Sequence, residues 1–286
     1  MIHGFSVDVE DWFQTTIDAS AQLTNRFQAT TMKVLDVLHA HNTKATFFVL
    51  GLAARKAPNV VKEIARAGHE IQSHGFGHLS NLELNQAAIR EDVSYAKMLL
   101  EDITGQEVYG YRAPFFSINE SRMEVLDILI EAGYRYDSSI FPLKTRRYGI
   151  RGYSLKPHIV LTPSGKRIVE APIACFDIFG MRLPLAGGGY FRFWPYWVIH
   201  KGFRQLDSKQ QPAVVYIHPY EYDQTEMSYY KKRVSLLDRM HQGIGRKGIP
   251  WKISKLLHNF KFAPLKEVLS DLLARCQDRG SLISCK

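Results

Sequence analysis

Cysteine is scarce in this chain: 286 residues include Cys175, Cys276 and Cys285 and no others. So small and scattered a set excludes a disulfide-stapled scaffold and a cysteine zinc finger, and it fits a reducing compartment. Long apolar runs are missing too. The stretch 45–54 stops far short of the roughly 20 residues that a bilayer-spanning helix needs. At the amino end, Asp8, Glu10 and Asp11 stand where a signal peptide would carry its apolar stretch, so the chain reads as cytoplasmic. No glycine-rich phosphate loop, Cys–His nucleophile pair, RNA-binding aromatic motif, internal repeat or low-complexity linker is present. Acidic side chains run short in the second half alone: 144–286 holds 25 basic and 10 acidic residues, net +15, whereas 1–143 is −6. What is there is 45% hydrophobic and 12% aromatic, which excludes a disordered tail or a collagen-like repeat. A basic half suits nucleic acid, an anionic membrane surface or a phosphate-bearing substrate, the first on charge alone.

Along the first 140 residues, short apolar runs alternate with helical patterns. Strands are expected at 2–9, 44–51, 70–73, 108–113 and 134–139, and helices at 26–41, 58–67, 82–103 and 121–132. Pro58 near a helix start and Gly68 just past its end have the usual asymmetry of helix punctuation. Strand–helix units in series predict parallel strands with crossover helices, which fits an open doubly wound sheet or a barrel. Prolines at 142, 157, 163, 172, 184 and 195, with glycines at 187–189, then break the regularity into loops and short strands over the barrel mouth. Residues 213–218 restore a strand. From 228 onward the chain reads as helical, Tyr230, Val234, Leu237 and Met240 recurring at helical spacing, with the Met and Tyr residues of 227–240 as core contacts.

Reactive side chains fall at the ends of these strands, where parallel α/β folds gather their chemistry. Asp8 ends the first, His74 and His78 follow the third, Arg112 ends the fourth and His218 ends the last. Each alone has a plainer reading, as a helix cap, a turn or a structural histidine. His74-Gly-Phe-Gly-His78 is stronger, because glycines let two imidazoles turn toward one ion. A carboxylate from the first strand end would complete a two-His, one-carboxylate site with a position open for water.

Five ordered segments then make the chain recognisable: SVDVEDWF (6–13), SHGFGH (73–78), YRAPFFSI (111–118), AGGGYFRFWPY (186–196) and VVYIHPYEYD (214–223). It resembles the NodB-type polysaccharide deacetylases, carbohydrate esterase family four, in the branch found in exopolysaccharide and O-antigen loci. The tail, ending in HNFKFAPLKEVL (258–269), is similar to that branch as well. The resemblance implies a distorted (β/α) barrel of about seven parallel strands with a helical extension, divided as a catalytic domain 1–225 and a basic extension 226–286. It also implies metal-assisted removal of acetyl from an N-acetylated sugar, free, nucleotide-linked, lipid-linked or polymeric. The cofactor is one divalent ion, zinc by preference, with cobalt, nickel or manganese as alternatives. Asp8 looks like the general base, His74 and His78 like metal ligands, Arg112 like the residue that forks onto Asp8, and His218 like the general acid. Pro114, Tyr190 and Arg192 look like substrate contacts.

Two departures stand out. The family's usual pair of adjacent aspartates is interrupted by Val9, so the carboxylate ligand is Glu10 or Asp11. Strand alternation puts Glu10 on the same face as Asp8; a turn after Val9 favours Asp11. No aspartate is clearly placed to orient His218, Asp137 being the candidate and a turn cap its plainer role. Gly187–Gly189 with Tyr190, Phe191 and Arg192 reads as a tight turn or a mobile rim over a sugar. Trp12, Trp194 and Trp197 read as core or as stacking platforms. The remaining histidines, including His3, His69 and His241, default to structure or surface. Residues 228–258 carry eight Lys and Arg against one acid, Asp238, which fits a solvated face or a peripheral surface for lipid headgroups or a sugar pyrophosphate. Alternatives to deacetylation are ring opening of cyclic amides, as in the allantoinase-like branch, or an inactive sugar-binding relative.

Overall fold

The computed structural model describes residues 1–145, 148–178, 181–185 and 187–278. Its strands are β1 (Ile2–Val9), β2 (Thr46–Val49), β3 (Glu70–Ser73), β4 (Gly110–Tyr111), β5 (Tyr136–Asp137), β6 (His158–Leu161), β7 (Arg167–Glu170), β8 (Cys175–Ile178), β9 (Met181–Pro184), β10 (Val214–Ile217) and β11 (Lys261–Ala263). The helices are α1 (Trp12–Thr16), α2 (Arg26–Ala40), α3 (Gly51–Lys56), α4 (Pro58–Arg66), α5 (Gln86–Thr104), α6 (Val125–Glu131), α7 (Gly188–Phe193), α8 (Tyr196–Ser208), α9 (Glu226–Tyr229), α10 (Leu236–Gly243), α11 (Ile249–Asn259), α12 (Leu265–Val268) and α13 (Ser270–Asp278).

Seven strands run parallel in the order β10-β1-β2-β3-β4-β5-β7, and β6 is added antiparallel at the β7 edge. Beyond β7, Ile173 bridges Val214 of β10 and the Ala174 N–H donates to the Val214 carbonyl at 3.0 Å. The path thus curls round into a distorted barrel tied across its gap by one short bridge. Strand alternation divides its two faces. Phe5, Val7 and Val9, with Phe47, Val49 and Ile71, face outward into the core shared with the helices. Phe48, Tyr136, Val214 and Tyr216 pack inside with Leu265 and Leu269. Ser6, Asp8, Glu70 and Gln72 take the same inward face and carry the polar network of the interior.

Loops and short strands do occupy 140–195, but the segment is ordered around the hairpin β8–β9 and α7. The tail adds an unexpected strand: β11 pairs in parallel with the start of β1, and α12 packs on β1 while α13 packs on β6 and β7. Tyr230 joins Trp12 and Phe13 in a small core, as expected, with Val234 beside them. Leu237 and Met240 do not. Both lie on α10, none of whose side chains is buried, and they are 79% and 62% exposed. Helical spacing gives a face, and packing decides whether anything covers it. No described helix is long and apolar enough to cross a membrane.

Candidate active site

The carboxyl ends of β1, β3, β4 and β10 deliver their polar residues to one end of the barrel, where a cavity of about 780 Å³ opens. Asp8, Glu10, His74, His78 and His218 line it, with Tyr190, Phe193, Trp194 and Tyr220 among its walls. Asp8 and Glu10 share a strand face, so both reach inward from adjacent positions on that face. His78 Nε2 lies 2.9 Å and His74 Nε2 3.5 Å from Glu10 Oε2, while His218 Nε2 lies 3.7 Å from Glu10 Oε1. One donor atom each from Glu10, His74 and His78 falls within 4.8 Å of the others.

This donor set fits a divalent ion. Glu10 is 3% exposed and its Oε2 is buried without a hydrogen-bond donor, an arrangement that needs positive charge nearby. Burial pushes the Glu10 carboxyl up, but the imidazoles of His78, His74 and His218 hold it well below the usual carboxylate range. His74 Nδ1 sits 2.8 Å from the Arg112 carbonyl. Because only a donor suits that contact, its Nε2 lone pair is left for the cluster, as in histidine ligands anchored from behind. Burial opposes protonation of His74, yet the neighbouring carboxylates of Glu10 and Asp8 raise its pKa.

Asp11 is elsewhere. Its Oδ1 caps α1 by accepting from the Phe13 and Gln14 N–H groups, and its Oδ2 accepts from the Thr24 N–H and hydroxyl. With both oxygens engaged, it stays out of the histidine cluster. Thr15, on the same short helix, donates to Glu10 Oε1 at 3.3 Å.

Arg112 is fully buried beneath Asp8 and donates one hydrogen bond to it, Nη1 to Oδ1 at 2.6 Å. The two-bond fork expected from the sequence does not form. The rest of the guanidinium is spent on Ser6 Oγ, the Ser138 carbonyl and Ser138 Oγ, and its flat face covers the Phe48 ring at 4.1 Å. A plane held on so many sides fixes the direction of the bond to Asp8.

Asp137 does not meet His218. It bonds Ser139 and the buried Glu170. Desolvation pushes both carboxyls up; the Asp137 charge raises Glu170 further, while the hydrogen bond from Glu170 pulls Asp137 back down. His218 instead stacks on Tyr220, with ring centres 4.6 Å apart and planes 11° apart. Glu221 accepts from the His218 backbone N–H at 3.2 Å, and its other oxygen lies 3.3 Å from Arg192 Nε. Arg192 also donates to the Gln242 carbonyl. It lines the cavity, but its charge is turned to Glu221.

Pro114 does not line the cavity. It stands behind the histidine turn, where a Cβ on Gly75 would come within 3.7 Å of its ring. Gly75 has φ +72 and the same Cβ would lie 2.8 Å from Asp92 Oδ2, so glycine is required there. Asp92 of α5 accepts the Phe76 and Gly77 N–H groups at 2.8 and 3.0 Å and so shapes the turn carrying both histidines. Nothing in its sequence context marks it. Glu221 was within sight, three residues past His218. The glycine run forms the start of α7 against the cavity, and Gly187 (φ +90) is pressed on Tyr216, whose ring leaves no room for a Cβ; Ala186 lies outside the described residues. Phe191 is core, Trp12 is buried, Trp194 lines the cavity and Trp197 is 69% exposed. His241 reaches the cavity rim.

Family models match in two consecutive parts: polysaccharide deacetylase over 13–136, and a domain of unknown function, DUF3473, over 138–270. A peptidoglycan-N-acetylglucosamine deacetylase of Bacillus cereus is 37% identical over 94 residues, 33% of this chain and 34% of that protein. Across three curated relatives the matches cover 17% to 39% of their length. Among solved structures, a Mycobacterium smegmatis protein classed with the polysaccharide deacetylases superposes with TM-score 0.64 at 20% identity, covering 96% of this chain and 90% of that one. The allantoinase PuuE superposes with TM-score 0.59 at 16% identity, covering 92% and 86%. These two likenesses concern the fold. With the family model, the ordered motifs and the barrel in agreement, this chain carries a polysaccharide deacetylase domain of the NodB type, carbohydrate esterase family four.

Proposed function

We propose that the protein is a metal-dependent N-deacetylase that removes acetyl from an N-acetylated sugar in surface-polysaccharide biosynthesis, working in the cytoplasm. The observation that carries this reading is the convergence of an Arg-held carboxylate, a Glu-His-His cluster and a separate histidine on one cavity. The deacetylase names of its curated relatives support the same bond.

Glu10, His74 and His78 would hold the ion, zinc by preference, with cobalt, nickel or manganese also suited to such ligands. When bound, it supplies Lewis acidity to the amide carbonyl and to water. Asp8, its direction set by Arg112, takes the proton released as water adds to the carbonyl carbon. His218 Nε2 faces the same space from the end of the neighbouring strand β10 and gives a proton to the nitrogen as the C–N bond breaks, leaving acetate and a free amine. Tyr190, Phe193 and Trp194 give the cavity aromatic walls suited to a sugar ring. Glu221 and Arg192 hold the strand end that carries His218.

Acetate release from a panel of free, nucleotide-linked, lipid-linked and polymeric N-acetyl sugars tests the reading, with cyclic amides run alongside. Acetate from at least one sugar supports it. Ring opening without acetate release would replace it with the allantoinase-type chemistry, and sugar binding without turnover would make the protein a binding relative.

A further inference from the structure

The helix α10 is unusual in burying none of its side chains while being rich in large apolar ones. Leu236, Leu237 and Met240 are exposed, as is Ile244 just beyond it. A groove beside the helix is lined by Phe193, Met240 and Ile244 together with Arg239 and Lys247. Phe193, itself 65% exposed, and His241 belong both to this groove and to the catalytic cavity. The apolar surface therefore runs up to the cavity mouth.

Charge in the segment is almost all of one sign. Of the eight cations in 228–258, the structure engages three: Arg233 lies over the Phe13 ring and 4.0 Å from Asp18, and Arg246 and Lys252 are held internally. Arg246 is buried against Glu226 at 2.6 Å, and Lys252 donates to the Phe191, Arg192 and Trp194 carbonyls. Lys231, Lys232, Lys247 and Lys255 remain exposed and Arg239 half-exposed. Asp238, the one acid, accepts a hydrogen bond from the Ser235 hydroxyl. Exposed Leu, Met, Ile and Phe with Lys and Arg around them match a bilayer interface, where apolar side chains enter the acyl boundary and cations meet lipid phosphate. A face built to meet another protein would gain from balanced charge, and this segment sets a single carboxylate, Asp238, against its many cations.

We propose that α10 and its groove dock the protein onto an anionic lipid bilayer, with Leu236, Leu237, Met240 and Ile244 at the headgroup boundary and Arg239 and Lys247 on phosphate. Docked this way, the cavity mouth lies at the membrane surface, within reach of a lipid-borne sugar. The proposal goes beyond deacetylation and is tested without turnover.

The full chain is sedimented with phosphatidylglycerol vesicles and with phosphatidylcholine vesicles, at low and high salt. Partitioning at least about tenfold stronger onto the anionic vesicles is expected, weakened by salt. R239E/K247E lowers it by about tenfold or more, and L237S/M240S, which touches no core contact, lowers it at both salt concentrations. Melting curves establish that both variants remain folded. Equal partitioning on the two vesicle types, or apolar variants that partition like the parent, would overturn the proposal. So would a dimer in light scattering that L237S/M240S dissociates, since the face would then join two copies of this chain.

Discussion

At the scale of single residues, the site separates groups that hold from groups that react. Asp8 is held by Arg112 and Glu10 by the two imidazoles, so their substitutions are expected to fail differently. Asp8→Asn keeps its metal content and loses about 10²–10⁴-fold in turnover, the usual weight of a general base. His74→Ala and Glu10→Gln lose the metal itself. Asp11→Ala keeps the metal and is destabilised by about 1 kcal/mol through the lost cap on α1. Metal analysis, acetate release and urea midpoints on the same four variants check this, and normal turnover in Asp8→Asn would remove it from the mechanism. Glu10 was legible because a two-residue period keeps it on the face of Asp8. Asp11 was ambiguous because a strand end and a helix cap use the same short carboxylates, and only the hydrogen bonds to Phe13, Gln14 and Thr24 decide.

Elements carry the second set of expectations. Asp92 of α5 ties down the turn between β3 and the helix by accepting two backbone N–H groups. Asp92→Ala is expected to weaken metal binding by about 10–100-fold, as losses behind a ligand do, while Asp92→Asn retains part of the affinity. A metal-binding titration reads this. At the other end of the same layer, His69 joins β3 to β2: its Nδ1 accepts the Ala45 N–H at 3.1 Å. Burial, with the Lys44 charge, lowers its pKa to about 4. An unfolded chain protonates this imidazole near 6.5 and the folded one resists until about 4. Its stabilisation is therefore complete above pH 6.5 and lost as the pH falls toward 4, amounting to roughly 3 kcal/mol. His69→Asn keeps an acceptor and removes the titration. Urea midpoints for the two proteins should run together above pH 6.5 and separate in acid, where only the parent loses stability, and parallel pH profiles would refute the assignment.

Over the whole molecule, the apolar layers are continuous without Glu10, His74 or His78: Phe5, Val7, Phe47 and Ile71 pack with the helices, and Phe48, Tyr136 and Tyr216 fill the inside. Chelation is therefore expected to abolish acetate release while the circular dichroism spectrum persists, with the melting temperature lowered by the lost binding energy. Zinc, cobalt or nickel restores both. Activity in exhaustively metal-free protein would end the metal reading. Local patterning was enough to place β1 and β3 to the residue: β1 is a short run whose Phe5, Val7 and Val9 alternate with Ser6 and Asp8, and β3 is bounded by Gly68 before it and the Gly75 turn after it. It was enough, too, to expect parallel strands and to see that Asp8, His74, Arg112 and His218 end them. What a linear pattern cannot hold is a contact made by residues far apart in the chain. Only the folded barrel turned Asp137 toward Glu170 instead of His218, spent Arg192 on Glu221, and brought Asp92 under the histidine turn. The strand β11 escaped because three residues show no period, and pairing with β1 is what makes them a strand. The same limit governs α10: spacing put its apolar residues on one face, and only the surrounding packing left that face uncovered.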